Sequence, residues 1–128
     1  MGAAPLTPGW HAERTPDAPA IIMGVTGETV TYAELEDRSS RLARALRSRG
    51  LEPGDAIAIC MENTRAYLEV AWAAQRSGLR YTAIDPQLSA AQLQYVLDDS
   101  GARVRGGVYL VRLQGAREAR VAHIVRLD

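Results

Sequence analysis

The residues able to do chemistry are few and scattered. His11 and His123 are the two histidines, and neither has a Cys or carboxylate at ligand spacing. Each reads as an ordinary surface or half-buried histidine. Cys60 falls inside an apolar run, where a thiol packs as a small apolar group rather than acting as a nucleophile. Asp98-Asp99 has the look of a carboxylate pair for acid–base work. Neighbours on a helix point about 100° apart, so the two cannot share a substrate. Gly106-Gly107 is followed by no Lys, Ser or Thr in the phosphate-loop pattern. Trp10 and Trp72 could stack on a base, but Trp72 lies in an apolar helical stretch and reads as core. The Arg-rich tail could touch phosphate, yet Tyr109 is its one aromatic platform. No nucleophile–base pair and no metal cluster emerges. No catalytic, cofactor-binding or metal-binding residue is therefore assigned.

Composition narrows the setting. The chain has 128 residues, enough for one domain, and a formal net charge of zero. There is no global electrostatic case for nucleic acid or an anionic membrane. All 15 basic residues are Arg and Phe is absent, which we read as codon bias in a GC-rich genome. A single Cys excludes an intrachain disulfide and fits a reducing compartment. The N-terminus carries no signal pattern, and no apolar run approaches the ~20 residues of a membrane span. A soluble cytoplasmic chain is expected. The charge is uneven, however. Residues 1–100 hold 9 Arg against 13 carboxylates, and residues 101–128 hold 6 Arg against 2.

The elements that would position any site are clearer. Residues 1–19 read as a lead-in with a short helix around Trp10 to Arg14, ended by Pro16 and Pro19. AIIMGVTGETVTY reads as a β-hairpin turning at Thr26-Gly27. Thr31 and Glu34 have capping-box spacing, so a helix starts there. Leu35, Ser39, Leu42 and Leu46 share its inner face. Glu34–Arg38 and Asp37–Arg41 are outer-face pairs. Gly50 and Pro53-Gly54 end the helix and turn the chain. DAIAICM reads as a strand buried on both faces. Asn63 is expected to cap the next helix, TRAYLEVAWAAQRSG, which is apolar nearly all round and so mostly buried. RYTAI is a further strand, broken by Asp85-Pro86. Ser89 caps a third helix with Leu93, Val96 and Leu97 inward, and Gly101 ends it. Alternating strands and helices with short links predict an α/β layer, mostly parallel, with crossover helices.

The order of short pieces carries a resemblance. These are TYAEL, RGLEPGD, MEN, a small-residue helix ending SGL, IDP, and DDSGAR. Over about residues 9–103 they resemble the N-terminal domain of the AMP-forming acyl-CoA synthetases, within the adenylate-forming ligases. MENTRAYLEV is most similar to the fatty-acid–CoA ligases. The resemblance implies ATP-dependent activation of a carboxylic acid to an acyl-adenylate, then transfer to coenzyme A. It implies ATP, Mg²⁺ and CoA for the full-length family. The family's phosphate loop, metal-supporting segment, ribose-binding residues and mobile-domain lysine have no matching positions here, so no cofactor is expected for this chain. Without such groups nothing stabilises charge on a transferred adenylyl group.

The family pattern breaks after DSGAR, where the charge balance flips. Residues 20–103 read as an incomplete N-terminal subdomain, and residues 104–128 as an atypical tail, with a frameshift near codons 103–107 set ahead of a genuine hairpin of VYLVRL and VAHIVRL. The chain is accordingly expected to be an inactive ligase fragment. The alternative is a non-catalytic module that pairs with a full-length synthetase or with itself through exposed apolar surface. Nucleic acid and a membrane span are not expected among its partners.

Overall fold

The computed structural model describes residues 6–100, 103–104, 107–113 and 119–125. The lead-in helix α1 is Pro8–Arg14, opened by Thr7, whose hydroxyl accepts the Trp10 N–H at 3.4 Å. Strands β1 (Pro19–Ile22) and β2 (Thr29–Thr31) form the expected antiparallel hairpin, with Ile21 opposite Val30.

Helix α2 is Tyr32–Ser48. Its capping box is closed in both directions: Glu34 N–H donates to Thr31 Oγ1 at 3.2 Å, and Thr31 N–H to Glu34 Oε2 at 3.0 Å. Leu35, Ser39, Leu42 and Leu46 are all buried, as their spacing predicts. The buried Ser39 hydroxyl escapes a desolvation cost by donating to the Glu36 carbonyl at 3.3 Å. On the outer face Asp37 and Arg41 pair at 3.1 Å. Glu34 is engaged by the cap, and Arg38 instead faces Glu69.

Strand β3 (Ala56–Cys60) sends alternate side chains to two cores. Ile57 and Ile59 join Leu42, Leu46, Leu51, Val70 and Ala74 on one face, beneath α2 and α3. Ala56 and Ala58 join Ile84 and Leu97 on the other, beneath α4. Helix α3 is Tyr67–Arg76, and here the structure corrects the sequence reading. Its N-cap is Ala66, with no side-chain cap, and Asn63 lies in the loop before it. Thr64 Oγ1 takes the Ala66 N–H at 3.3 Å, so a local turn replaces the helical start predicted at Asn63. The inner residues Val70, Ala71, Ala73 and Ala74 are buried, but Leu68 is 44% exposed, so the burial is less complete than the apolar sequence suggests. Arg76 fastens α3 to α2 with a two-pronged contact to the Glu36 carboxylate and a bond to Ser40 Oγ at 2.6 Å.

Strand β4 is Arg80–Ile84 and helix α4 is Ala90–Asp99. Ser89 caps α4, and Gln92 completes a second reciprocal box that the sequence reading left unremarked. Gly101, read as the end of this helix, lies outside the described residues. Three further strands follow: β5 (Arg103–Val104), β6 (Gly107–Leu113) and β7 (Ala119–Val125). The sheet runs β4-β3-β6-β5, with β7 also on β6. The β3–β4 and β3–β6 pairs are parallel, while β5–β6 and β6–β7 are antiparallel. The parallel part is thus β4-β3-β6, and the antiparallel part belongs to the Arg-rich tail. Placing β4 and β6 on opposite sides of β3, with α3 and α4 on opposite faces, makes a small three-layer α/β unit.

Candidate functional site

Open α/β sheets offer ligands a place at the carboxyl ends of their strands. In this chain the ends of β3 and β4 border a shallow cleft of about 400 Å³. Met61, Glu62 and Asn63 follow β3, Tyr67 opens α3, and Ala83 to Gln87 carry β4 into its loop. The second loop is held by its own chemistry. Asp85 Oδ1 accepts the Gln87 N–H at 2.9 Å, a local turn that an Asp-Pro pair favours. Burial pushes the Tyr67 phenol above its ordinary value, and Tyr81 and Cys60 nearby push it the same way. Tyr67 therefore stays a neutral hydroxyl at physiological pH.

The lining limits what this cleft can do. Among the described residues it carries two carboxylates, Glu62 and Asp85, and no Arg, Lys or His. That charge repels a triphosphate, so these described residues do not by themselves fit ATP. Among the described residues no group of three His, Cys, Asp or Glu side chains could hold a metal ion. The cleft's described residues offer hydrogen bonds and an aromatic wall, without a nucleophile paired to a base.

The residues singled out from sequence do not converge. His11 stacks on Tyr32 with ring centroids 4.7 Å apart and meets Trp10 edge-on. Arg14 lies over the Trp10 ring at 4.1 Å. The His11–Tyr32 stack fastens α1 to the start of α2, and the other two contacts lie within α1. Trp72 is half-buried, and borders an apolar hollow of about 260 Å³ together with His11, Tyr32, Leu35 and Leu68. Cys60 is the last residue of β3 and only half-buried, because the sheet ends there. Asp98 accepts from Gln94 Nε2 at 2.9 Å on an exposed helix face, and Asp99 is also exposed. Gly106 and the side chains of Tyr109 and His123 lie outside the described residues. What sequence reasoning missed is the cleft. By type Asn63 suits a helix cap and Asp85-Pro86 a strand break, and both line it. Their position just beyond two parallel strands was the available signal.

Comparison with known proteins decides the family. A family model described as AMP-binding enzyme matches residues 9–125. The chain belongs to this family. The match runs past Arg103 and takes in most of the tail. Among curated relatives, a fatty acid–[acyl-carrier-protein] ligase from Streptomyces coeruleorubidus is 34% identical over 77% of this chain and 18% of its own length. A feruloyl-CoA synthase from Amycolatopsis is 39% identical over 73% of this chain and 19% of its own. Among solved structures, the N-terminal subdomain of NpsA from Klebsiella oxytoca superposes with a TM-score of 0.72 at 27% identity, covering 88% of this chain and 28% of that one. O-succinylbenzoate coenzyme A synthetase from Bacillus subtilis gives 0.69 at 28% identity, covering 82% and 22%. The chain thus spans about a fifth of the ligase and synthase lengths. The fold is that of the N-terminal region of adenylate-forming enzymes, and the relatives attach different acids to different acceptors, so the match fixes the family and leaves the acid open. No helix among the described residues is long and apolar enough to cross a membrane.

Proposed function

We propose that these 128 residues are the N-terminal scaffold of a cytoplasmic AMP-forming ligase that activates a fatty acid and passes it to CoA, and that alone they catalyse nothing. The observation that carries this reading is a mismatch. A chain of the AMP-binding family ought to face its ligands with cationic or metal-holding groups, yet the cleft at the strand ends presents carboxylates. The fatty-acid assignment is supported by MENTRAYLEV and by a fatty-acid ligase among the relatives. ATP, Mg²⁺ and CoA would be held by parts of the full-length enzyme that these residues do not supply. In this role the two-core strand β3 and its helices set the frame against which those parts pack.

Acid-dependent ATP–pyrophosphate exchange tests it. Purified chain should give no exchange above blank with fatty or aryl acids. Exchange with any of them would overturn the inactive reading, and exchange with aryl acids alone would overturn the fatty-acid assignment as well. Exposed Leu68, Tyr81 and Tyr95 suit self-association or pairing with the remainder of a synthetase. The proposed frame break near codons 103–107 is tested by resequencing the encoding DNA. A second frame running on into a Ser/Thr/Gly-rich loop ending in Lys supports it, and no such frame excludes it.

A further inference from the structure

Strand β4 pairs with β3 on one side, and among the described residues its other side is open. One bond fixes which of its backbone groups face that open side. Arg80 N–H donates to the Asp55 carbonyl at 2.9 Å, towards β3. Backbone groups alternate in direction along a strand, so Thr82 and Ile84 also bond towards β3. The N–H and C=O of Tyr81 and Ala83 therefore point outward. Both residues are exposed. The edge has no guard of the usual kind. Between Tyr81 and Ile84 there is no Pro and no charge, and the register with β3 is unbroken by a bulge.

The strand is also complementary to itself. Set a second β4 antiparallel beside it, with the two-fold axis at Thr82. Tyr81 then lies opposite the partner's Ala83, and Ala83 opposite the partner's Tyr81. Each such pair exchanges both of its N–H···O=C bonds, so every outward group of the two residues finds a partner. On one sheet face the large Tyr81 ring meets a small Ala side chain, once in each copy. The ends match as well. Arg80 opens the strand and Asp85 follows it, and both are exposed. An antiparallel pair brings the Arg80 end of one copy towards the Asp85 end of the other, whereas a parallel pair would set like charges side by side.

We propose that β4 is a pairing edge for a second copy of this chain: two β4 strands join antiparallel about Thr82 into one continuous sheet. This goes beyond the scaffold reading and does not depend on which acid the ligase activates. The contact is isologous, so it closes at two copies. It is also small. A strand pair brings far fewer than the ~20 residues a side of a standard interface, so association is weak and rises with concentration. Ala83 lines the cleft too, which puts the second copy at its rim.

Sedimentation of the 128-residue chain over a concentration series tests it. The parent should pass from monomer to dimer and no further. Ala83→Pro removes an outward N–H and leaves the bonds to β3 in place, so it should stay monomeric with the parent's circular dichroism. Cross-linking in a Cys60→Ser background reads the register. Thr82→Cys should give a disulfide-linked dimer under mild oxidation, because the two copies of position 82 face each other with Cα atoms about 4.5 Å apart. Tyr95→Cys, on the exposed face of α4, should stay monomeric. A parent that is monomeric at every concentration overturns the pairing edge, and so do species larger than a dimer. A folded Ala83→Pro that still dimerises overturns it too, as does linkage through Tyr95→Cys without linkage through Thr82→Cys. If Ala83→Pro loses the parent spectrum, Thr82→Cys decides alone: linkage supports the edge, and its absence overturns it.

Discussion

Single residues in this chain mostly secure helix ends and helix pairs. Thr31 satisfies an N–H of α2 that would otherwise have no partner, and receives help in return from Glu34. Thr31→Ala should cost about 1 kcal/mol of stability, read as a lower midpoint in urea with an unchanged slope. Glu69 acts in the opposite direction. Burial raises its pKa in the folded chain above the ordinary value of about 4.5. The folded state therefore binds a proton more readily than the unfolded state, and stability falls as pH rises from about 4.5 through the folded pKa. Glu69→Gln should raise the melting temperature at pH 7 relative to the parent, and the gain should shrink towards zero below pH ~4. A gain that persists undiminished at acid pH would show that charge is not its cause. These roles are differently legible. The Thr31–Glu34 spacing is local, so it could be read directly from sequence. Glu69 looks like one more polar residue on a stripe until the fold buries it and brings the Arg38 charge near enough to act on it.

At the scale of elements, the joints matter more than the rods. Gly78 ends α3 with φ of 70°, and a Cβ there would lie 3.1 Å from the Pro53 Cβ. Its carbonyl accepts the Gly54 N–H at 2.8 Å, and Arg80 N–H reaches the Asp55 carbonyl at 2.9 Å. The turns that launch β3 and β4 are thus bonded to each other, which sets the two strands in register. Gly78→Ala should destabilise the chain by at least ~1 kcal/mol, through left-handed strain and the crowded proline together. Thermal or denaturant melting checks it, and Gly50→Ala provides a comparison, because Gly50 has φ of 88° with open space around it. Helices, strands and their order were legible because apolar periodicity and Gly/Pro punctuation are local signals. The start of α3 was not. Asn63 is an excellent cap by type, yet the chain spends residues 61–66 on the cleft wall and begins the helix at Tyr67, a choice made by packing around β3. The docking of the tail strands was likewise hidden. Two alternating runs pair the same way on paper whether they extend a sheet or stand apart, and only the docking of β6 on β3 decides it.

At the scale of the whole molecule, the surface is less finished than the core. Leu46, Ile57 and Ile59 are fully buried, whereas Tyr81 on β4 is 43% exposed and Tyr95 on α4 is 71% exposed. Among the described residues, strand β4 is at the end of the sheet order, with one side of its backbone open. Purified chain should elute from size-exclusion chromatography above its monomer mass of 13.9 kDa, increasingly so with concentration. A monodisperse monomer at all concentrations would show that these groups are tolerated in water. Leu46→Ala, by contrast, should cost about 2–5 kcal/mol and unfold a marginal chain, since its side chain has no exposure to lose.

The place of β3 at the centre of the sheet has a consequence for synthesis. Its bonds to β4 join Ala58 to Thr82, while its bonds to β6 join Ala58 to Leu110, more than twice as far along the chain. Closing the nearer loop is entropically cheaper, and its residues leave the ribosome first. The β3–α3–β4 crossover can therefore assemble as a nascent unit while the far side of β3 is still waiting. During that interval Ala58 and Ile59 present an open strand edge to the cell, and the rate at which β6 arrives sets how long a chaperone has to cover it.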